Sequence, residues 1–350
     1  MPLKALTLFT GFNGAGKSTA IQSVLLLSQG ARAGSWDQSR DGTRLPLNGD
    51  VVRLGSAGDV IRAGAPNGQT RFEIEGERGS ISVELSGKAG ARVLSAETTI
   101  GPQGGEDLVR SIGRLVHISA VRSSPADAYP MPDRLHTGVA DVGVDGRFAS
   151  YWYHERADSA VDGRRLLPGS VGDTFRRQVD AWLGFLAPGA NANVQAMPAA
   201  SMMALQFRLT EAGEWKRPAN VGYGLTYAFP ILVQLLAADD GDVVVIDSPE
   251  AHLHPQAQSR MGRLLATFAA AGVQILVETH SDHVLNGARL AVADSVLPAK
   301  DLGLLFFAGA GARGHGVTMP AIDARGRIDA WPEGFFDQID NDVARLSGWR

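Results

Sequence analysis

Gly11-Phe12-Asn13-Gly14-Ala15-Gly16-Lys17-Ser18-Thr19 fills every fixed position of the phosphate-loop pattern Gly-x4-Gly-Lys-Ser/Thr. The apolar run 6–9 before it is typical of a strand, and the run 20–27 after it is typical of a helix. A strand, a glycine-rich turn and a helix in this order direct backbone N–H groups and a helix N-terminus at one phosphate. A chance match in an ordinary glycine-rich turn is the alternative, which the flanking elements disfavour. The stretch therefore predicts a bound nucleoside triphosphate.

The residues of this loop have separate expected roles. Lys17 is expected to reach the β- and γ-phosphates, and the Ser18 hydroxyl is expected to bind Mg²⁺. The residues predicted to bind nucleotide in this stretch are Gly11, Asn13, Gly14, Ala15, Gly16, Lys17, Ser18 and Thr19.

Composition limits the class of protein. The 350 residues are 44% hydrophobic and 20% charged, which is typical of a soluble globular chain long enough for one or two domains. The net charge of −4 gives no bulk argument for nucleic-acid binding, and the absence of cysteine excludes disulfides and thiolate sites. Because the sequence has no long apolar run and no signal sequence, we expect a cytoplasmic protein that is not in the membrane.

A second nucleotide signature follows the apolar strand 243–246, which ends in Asp247. A carboxylate at the end of a buried strand suits Mg²⁺, so Asp247 is expected to bind the metal through water; the alternative is a cap on the next turn. Glu250 is expected to orient the water that attacks the γ-phosphate, or else to cap the following helix. His252 and His254 could form a metal pair, but a structural or nucleotide-contacting role is favoured.

Another apolar strand, 273–277, leads into Glu278-Thr279-His280-Ser281. This polar cluster reaches the same sheet edge, so His280 is predicted to sense the γ-phosphate, with Thr279 or Ser281 helping. A purely structural histidine is the alternative. Between the two signatures, the turn of Gly222, Gly224 and Thr226 opens a helix, and its N–H groups and hydroxyl suit a phosphate presented from outside. A Gly-x-Gly pattern is weak evidence by itself.

The remaining sequence predicts the domain organisation. Alternating strands and helices after residue 220 indicate a parallel sheet, and the runs 70–75 and 80–85 indicate antiparallel strands. A helix is predicted from Val171, Phe175, Val179, Trp182, Leu183 and Leu186, and a hairpin from 316–319 with 327–330. The predicted parts are a phosphate-loop segment (1–30), an antiparallel β lobe (31–122), a helical insert (123–219), the rest of the ATPase core (220–300), and a C-terminal hairpin with a helix (301–350).

The order of these motifs resembles the ABC-type ATPases of the RecF, SMC and OLD-like group, and in detail the AAA-family ATPases found as uncharacterised or antiviral-defence proteins. The segment 331–337, WPEGFFD, is similar to the C-terminal segment of one such subfamily. The resemblance implies an α/β P-loop NTPase of ABC type, with a mostly parallel core sheet, an antiparallel β lobe and a helical insert. It also implies ATP and Mg²⁺ as cofactors.

In that family two copies sandwich ATP head to tail. The resemblance therefore implies a homodimer in which Gly222, Gly224 and Thr226 of one chain close over the γ-phosphate held by Lys17 of the other. It further implies an ATP-hydrolysing switch in DNA repair or antiphage defence, with a separate effector protein and DNA as a candidate partner. Ser248 departs from the family, which usually has a catalytic glutamate there; the catalytic role then moves to Glu250, with His280 assisting.

Two other functions stay open. A nucleotide-gated scaffold with little turnover would account for Ser248. A transporter ATPase subunit is disfavoured, because the sequence has neither a Leu-Ser-Gly-Gly-Gln signature nor a recognisable coupling surface for a membrane partner.

Overall fold

The computed structural model describes residues 1–36, 43–62, 64–65, 68–76, 79–133, 138–311, 314–332, 334, 336 and 338–347. The chain divides into two units, one formed by Met1–Lys17 with Ile118–Arg350 and the other by Ser18–His117. Glu333, Phe335 and Asp337 of the C-terminal WPEGFFD segment lie outside the described residues. In the described part of the chain, no helix has the length and apolar character needed to cross a membrane.

The strands are, in chain order, β1 (Leu6–Gly11), β2 (Arg44–Pro46), β3 (Gln69–Gly76), β4 (Gly79–Ser86), β5 (Val93–Ile100), β6 (Val116–Ile118), β7 (Ala128–Pro130), β8 (Asn191–Met197), β9 (Met202–Arg208), β10 (Val243–Asp247), β11 (Gln274–Glu278), β12 (Leu302–Gly311) and β13 (Gly314–Thr318). The helices are α1 (Lys17–Arg32), α2 (Ala57–Val60), α3 (Gly105–Gly113), α4 (Ala149–Arg156), α5 (Phe175–Leu186), α6 (Tyr223–Ala237), α7 (Pro255–Ala270), α8 (Asp282–Ala293) and α9 (Gln338–Leu346).

The first unit is built on a sheet with the strand order β13-β12-β1-β11-β10-β6. Strands β12, β1, β11 and β10 run parallel to one another, and β13 is antiparallel to β12. Val244, Val245 and Ile246 of β10 are fully buried, as expected for a strand covered on both faces. The predicted mostly parallel core sheet is therefore present.

Helices α7 and α8 pack against each other at two glycines. A Cβ added at Gly262 would overlap the Val284 carbonyl oxygen, and one added at Gly287 would overlap the Ser259 carbonyl oxygen. The two backbones thus approach more closely than any side chain would allow. This crossing fixes the start of α8, which follows the polar cluster 278–281.

The region 123–219 contains more than the predicted helical insert. Helices α4 and α5 are present, but so is an antiparallel sheet with the order β7-β9-β8, which was not predicted. Burial alternates along β9, residues 202–208, so one face of this sheet is covered. Helix α5 begins at Phe175, and the first residue of the predicted stripe, Val171, lies outside it with 82% of its surface exposed.

The second unit contains an antiparallel sheet with the order β2-β5-β4-β3. The predicted runs 70–75 and 80–85 lie in β3 and β4, which pair antiparallel. The unit has its own apolar core, which includes Leu45, Val83 and Leu85. The antiparallel lobe of the predicted fold class is thereby present.

The predicted C-terminal hairpin was wrong in its pairing. Strand β13 pairs with β12, which it closely follows in the sequence, and becomes an edge strand of the core sheet instead of pairing with 327–330. Residues 327–330 instead contribute one isolated bridge, between Ile328 and Ile322. The terminal helix expected after this region is α9.

Candidate nucleotide-binding site

The phosphate loop connects β1 to α1. Gly11, the first residue of the loop, has a φ of +123°. It lies so close to β12 that an added Cβ would overlap the Phe307 carbonyl oxygen. The next residue, Phe12, donates its N–H to that same oxygen at 3.1 Å. Only glycine satisfies both the backbone angle and the close approach at position 11.

Lys17 is the first residue of α1 and is only 4% exposed. Its Nζ donates hydrogen bonds to the main-chain oxygens of Gly11 at 3.0 Å and Phe12 at 2.9 Å. Burial lowers the pKa of Lys17, while the nearby carboxylates of Glu278 and Asp247 act to raise it. The two hydrogen bonds hold the ammonium group inside the loop, and the two acids favour its charged form.

Ser18 and Thr19 follow Lys17 in the first turn of α1 and are exposed. They are the first residues of the second unit. Their roles as nucleotide ligands, and that of Ser18 as a metal ligand, stay predictions, as do those of Asn13, Gly14, Ala15 and Gly16.

The ends of two neighbouring strands bring two acids together, beside the strand that leads into the phosphate loop. In the sheet register, Glu278 of β11 lies beside Phe9 of β1 on one side and Asp247 of β10 on the other. The carboxyl edge of a parallel sheet is where open α/β folds bind ligands. Asp247 and Glu278 therefore share the sheet edge at which the phosphate loop begins.

Ser248 occupies the position directly after Asp247. Its hydroxyl donates to Asp247 Oδ1 at 3.0 Å, and its N–H donates to the Glu278 carbonyl oxygen at 2.8 Å. Its φ is +48°, a left-handed conformation that few residues other than glycine adopt. The chain thus turns sharply at the place where β10 ends.

Both carboxylate oxygens of Glu250 accept hydrogen bonds from the loop after β11. The Thr279 hydroxyl donates to Oε2 at 2.8 Å, and the His280 N–H donates to Oε1 at 2.9 Å. Glu250 does not cap the next helix, because α7 begins at Pro255 and its cap is His254, whose Nδ1 accepts from the Gln256 N–H. Glu250 instead joins the two loops at the sheet edge.

The side chain of His280 is exposed at this edge. Partial burial and the positive charge of Lys17 lower the pKa of His280, whereas the carboxylates of Glu250 and Asp247 act to raise it. The lowered pKa favours the neutral ring, which still carries one N–H donor. The bond from the His280 N–H to Glu250 holds residue 280 at this edge.

Thr279 and Ser281 have structural bonds of their own. Ser281 Oγ accepts from the Val284 N–H at 3.1 Å, which caps α8, and donates to Gln258 Oε1 at 2.6 Å. The Ser281 N–H donates to Thr279 Oγ1 at 3.1 Å. Both hydroxyls consequently hold the loop around His280 in place.

His252 packs between two tyrosines rather than beside a second metal ligand. Its ring centroid lies 5.2 Å from that of Tyr223 and 4.7 Å from that of Tyr227, both in α6. Across the described ranges, no group of three or more His, Cys, Asp or Glu side chains is arranged to hold a metal ion. The structure thus favours a structural role for His252.

The predicted signature turn lies at the start of α6. Gly222 caps the helix with a φ of +84° and has open space around it, whereas Gly224 lies against the loop after β10, since a Cβ there would be 2.9 Å from the His252 oxygen. Thr226 is only 5% exposed, and its hydroxyl has no hydrogen-bond partner. It lines a small cavity with Tyr129 and Asp145. Its predicted contact with a phosphate would require the start of α6 to rearrange.

Sequence reasoning did not single out Arg122. This residue follows β6, is 4% exposed, and donates from Nη2 to the carbonyl oxygens of Asp247 and Ser248. The available signal was an arginine close behind an apolar strand, at the edge where the other site residues were expected. Nothing in the sequence pattern alone connects it to a strand more than a hundred residues away.

Comparisons with known proteins found two family models and several solved structures of the same fold. The family model AAA_21, described as "AAA domain, putative AbiEii toxin, Type IV TA system", matches residues 116–286. This range includes Asp247, Glu250 and His280 but not Lys17. A second model, a protein family of unknown function (DUF3696), matches residues 297–346. No curated protein matches the chain.

Two solved SMC head domains share the fold. One, an SMC head bound to the C-terminal winged-helix domain of ScpA, is 14% identical with a TM-score of 0.50, over 92% of each chain. The other, from Pyrococcus furiosus, is an SMC head with an extended coiled coil bound to the C-terminal domain of ScpA; it is 11% identical with a TM-score of 0.51, over 99% of this chain and 94% of that one. The chain has the fold of an SMC-head, ABC-type P-loop NTPase. The predicted fold class is confirmed.

Proposed function

We propose that this chain binds ATP with Mg²⁺ at the carboxyl edge of its parallel sheet and hydrolyses it. The observation that carries the proposal is the position of the Lys17 ammonium. The Gly11 and Phe12 oxygens hold it inside the phosphate loop, at the sheet edge where Asp247 and Glu278 end neighbouring strands. Residues from three separate parts of the sequence thus converge on one place that suits a triphosphate.

Lys17 would exchange its two main-chain oxygen partners for phosphate oxygens. Such a charge-assisted bond is stronger than a bond to a neutral carbonyl. Asp247 fits the expected metal, because Mg²⁺ is usually held by one or two carboxylates, several waters and the phosphates rather than by a cage of protein ligands. When bound, the metal supplies positive charge that offsets the charge of the phosphates.

Glu250 would orient the attacking water in place of the glutamate that ABC-type ATPases usually carry at the position of Ser248. Its bonds to Thr279 and to the His280 N–H hold the carboxylate at the sheet edge. His280 would donate a hydrogen bond to the γ-phosphate. Both roles require a bound nucleotide, because its γ-phosphate positions the water and accepts that bond.

We further propose an ATP-dependent homodimer. Gly222 lies exposed at the N-terminus of α6, where main-chain N–H groups suit a phosphate presented by a second copy. Thr226 would join that contact only after the rearrangement described above. A switch of this kind would act in DNA repair or antiphage defence through a separate effector, in a cytoplasmic setting. The solved SMC heads of the same fold, each bound to a domain of ScpA, support a partner protein by analogy.

Phosphate release and molar mass test the proposal together. Wild-type protein with Mg²⁺ and ATP should release phosphate, and a hydrolysis-impaired Glu250→Gln variant with ATP should double its molar mass in light scattering. Absence of ATP binding would refute the proposal. Stimulation of phosphate release by double-stranded DNA, fading as salt rises, would support DNA as the partner.

A nucleotide-gated scaffold is the second candidate. Ser248, with its left-handed backbone and its bond to Asp247, occupies the place of the usual catalytic glutamate. A protein that binds ATP and dimerises but releases no phosphate would favour this function over an ATPase.

A further inference from the structure

Arg122 is a buried cation at the edge of the proposed ATP site. Its Nη2 donates to two successive carbonyl oxygens, those of Asp247 at 2.6 Å and Ser248 at 3.1 Å. It therefore holds the main chain at the sharp turn that follows β10. This turn carries the acid expected to bind metal and leads directly to Glu250.

The same guanidinium lies over the ring of Tyr227, 5.5 Å from its centroid. Tyr227 belongs to α6, and His252 from the loop after β10 packs on its ring. Arg122 thus contacts both the turn after Asp247 and helix α6, which Gly222 caps. A single side chain joins the two elements.

The setting of Arg122 is costly for a purely structural residue. Its Nε and Nη1 atoms are buried and have no hydrogen-bond partner. Burial lowers its pKa to about 10, while the carboxylates of Asp247 and Glu250 act to raise it. An apolar residue of similar size often serves stability at least as well as a buried charge. A buried, incompletely bonded arginine beside two acids therefore points to a role in the site.

We propose that Arg122 is a positioning residue for hydrolysis. It holds the carbonyl groups of Asp247 and Ser248 so that Glu250 stays aligned with the attacking water, and it links this loop to α6. Its hydrogen bonds go to the main-chain oxygens of the turn that leads to Glu250. Its loss should therefore slow turnover without weakening ATP binding. The inference rests on the proposed hydrolysis at this site.

Three variants of the full chain test the role. Arg122→Met keeps the length of the side chain but removes its charge and donors, and Arg122→Lys keeps a charge without the planar group that stacks on Tyr227. Arg165→Met is the matched control. Arg165 is also 4% exposed, also has an unpartnered Nε, and donates to the Ala238 oxygen and to Asp240.

The measurements are kcat for phosphate release, the Kd for ATP with Mg²⁺, and Tm. We expect Arg122→Met to lower kcat by at least about tenfold, since a misplaced catalytic group can cost up to ~100-fold, with a Kd within about threefold of wild type. Arg122→Lys should recover part of the lost kcat. Arg165→Met should keep the wild-type kcat even if its Tm falls.

Several results would overturn the inference. One is an Arg122→Met variant with wild-type kcat; if that variant does not fold, a folded Arg122→Leu variant, which also lacks the charge and the donors, with wild-type kcat has the same force. Another is a parallel loss of kcat and ATP affinity, which would indicate a nucleotide contact or a damaged fold. An active wild type with an unaffected variant would refute this inference alone. A wild type that binds ATP without turnover would refute the proposed hydrolysis as well.

Discussion

The Thr279 hydroxyl donates a hydrogen bond of 2.8 Å to the Glu250 carboxylate, across 29 residues of sequence. The neighbouring His280 N–H donates to the other carboxylate oxygen at 2.9 Å. The loops after β10 and β11 are therefore fixed to each other at the sheet edge. Glu250 could serve hydrolysis either by acting on water or by holding the loop that carries His280.

Two substitutions separate these roles of Glu250. Glu250→Gln keeps an oxygen for the His280 N–H but removes the negative charge, so it should lower kcat by roughly 100-fold or more, the scale of general-base catalysis. Thr279→Val removes only the hydroxyl and leaves the carboxylate able to act, so its loss of kcat should be smaller. Steady-state phosphate release with both variants, alongside the exposed control Glu155→Gln, measures the difference.

Equal losses in Glu250→Gln and Thr279→Val would contradict a role on water and leave loop positioning as the function of Glu250. A Glu250→Gln variant with wild-type kcat would exclude both roles. ATP binding should stay unchanged in each variant, because Glu250 is not expected to contact the phosphates.

The crossing of α7 and α8 fixes the start of α8, which directly follows the loop 278–281 of the candidate site. Gly287→Ala would place a methyl group against the Ser259 carbonyl oxygen, a backbone atom that cannot turn aside. Such overpacking should lower the free energy of unfolding by about 3 kcal/mol. Chemical denaturation of this variant and of Gly163→Ala, where a Cβ meets nothing, checks the prediction. Equal stability of the two variants would contradict the close approach of the helices.

Titration of His280 tests its place beside Lys17. Burial and the Lys17 charge lower its pKa below the ordinary 6.5, so its titration midpoint should lie below that value in the protein without nucleotide. Lys17→Met should raise the midpoint, because one of the lowering interactions is removed. NMR of the imidazole, assigned with His280→Gln, measures both values. A midpoint unaffected by Lys17→Met would contradict their proximity.

The sign of the linked stability follows from the same shift. The unfolded chain takes up the His280 proton at a higher pH than the folded chain does. The contribution of His280 to the free energy of unfolding is therefore complete above pH 6.5 and falls as the pH drops through the folded pKa.

The parts of the site that the sequence predicted are those with local signals. The phosphate loop is a contiguous pattern, and Asp247 and His280 each follow an apolar strand. Parallel strands with covered faces bring such ends to one edge, so their convergence follows from the strand pattern. The mostly parallel core was predictable for the same reason.

The parts that the sequence missed depend on tertiary contacts. Arg122 donates hydrogen bonds to main-chain oxygens. Every residue has such an oxygen, so the side-chain sequence does not indicate which residues accept these bonds. The burial of Thr226 follows from the packing of α6 and not from its position in a Gly-x-Gly turn. Strand β13 pairs with β12 of the core sheet, and no pattern within 316–330 indicates that partner.

Calorimetric titration of the protein with ATP and Mg²⁺, repeated with Lys17→Ala, tests the central claim most directly. Lys300→Ala, at an exposed lysine, is the control. We predict that wild type and Lys300→Ala bind ATP equally, and that Lys17→Ala binds at least about 100-fold more weakly, since the charge-assisted bonds to phosphate are lost. Equal affinity in all three proteins, or no binding by wild type, would contradict a triphosphate site built around Lys17.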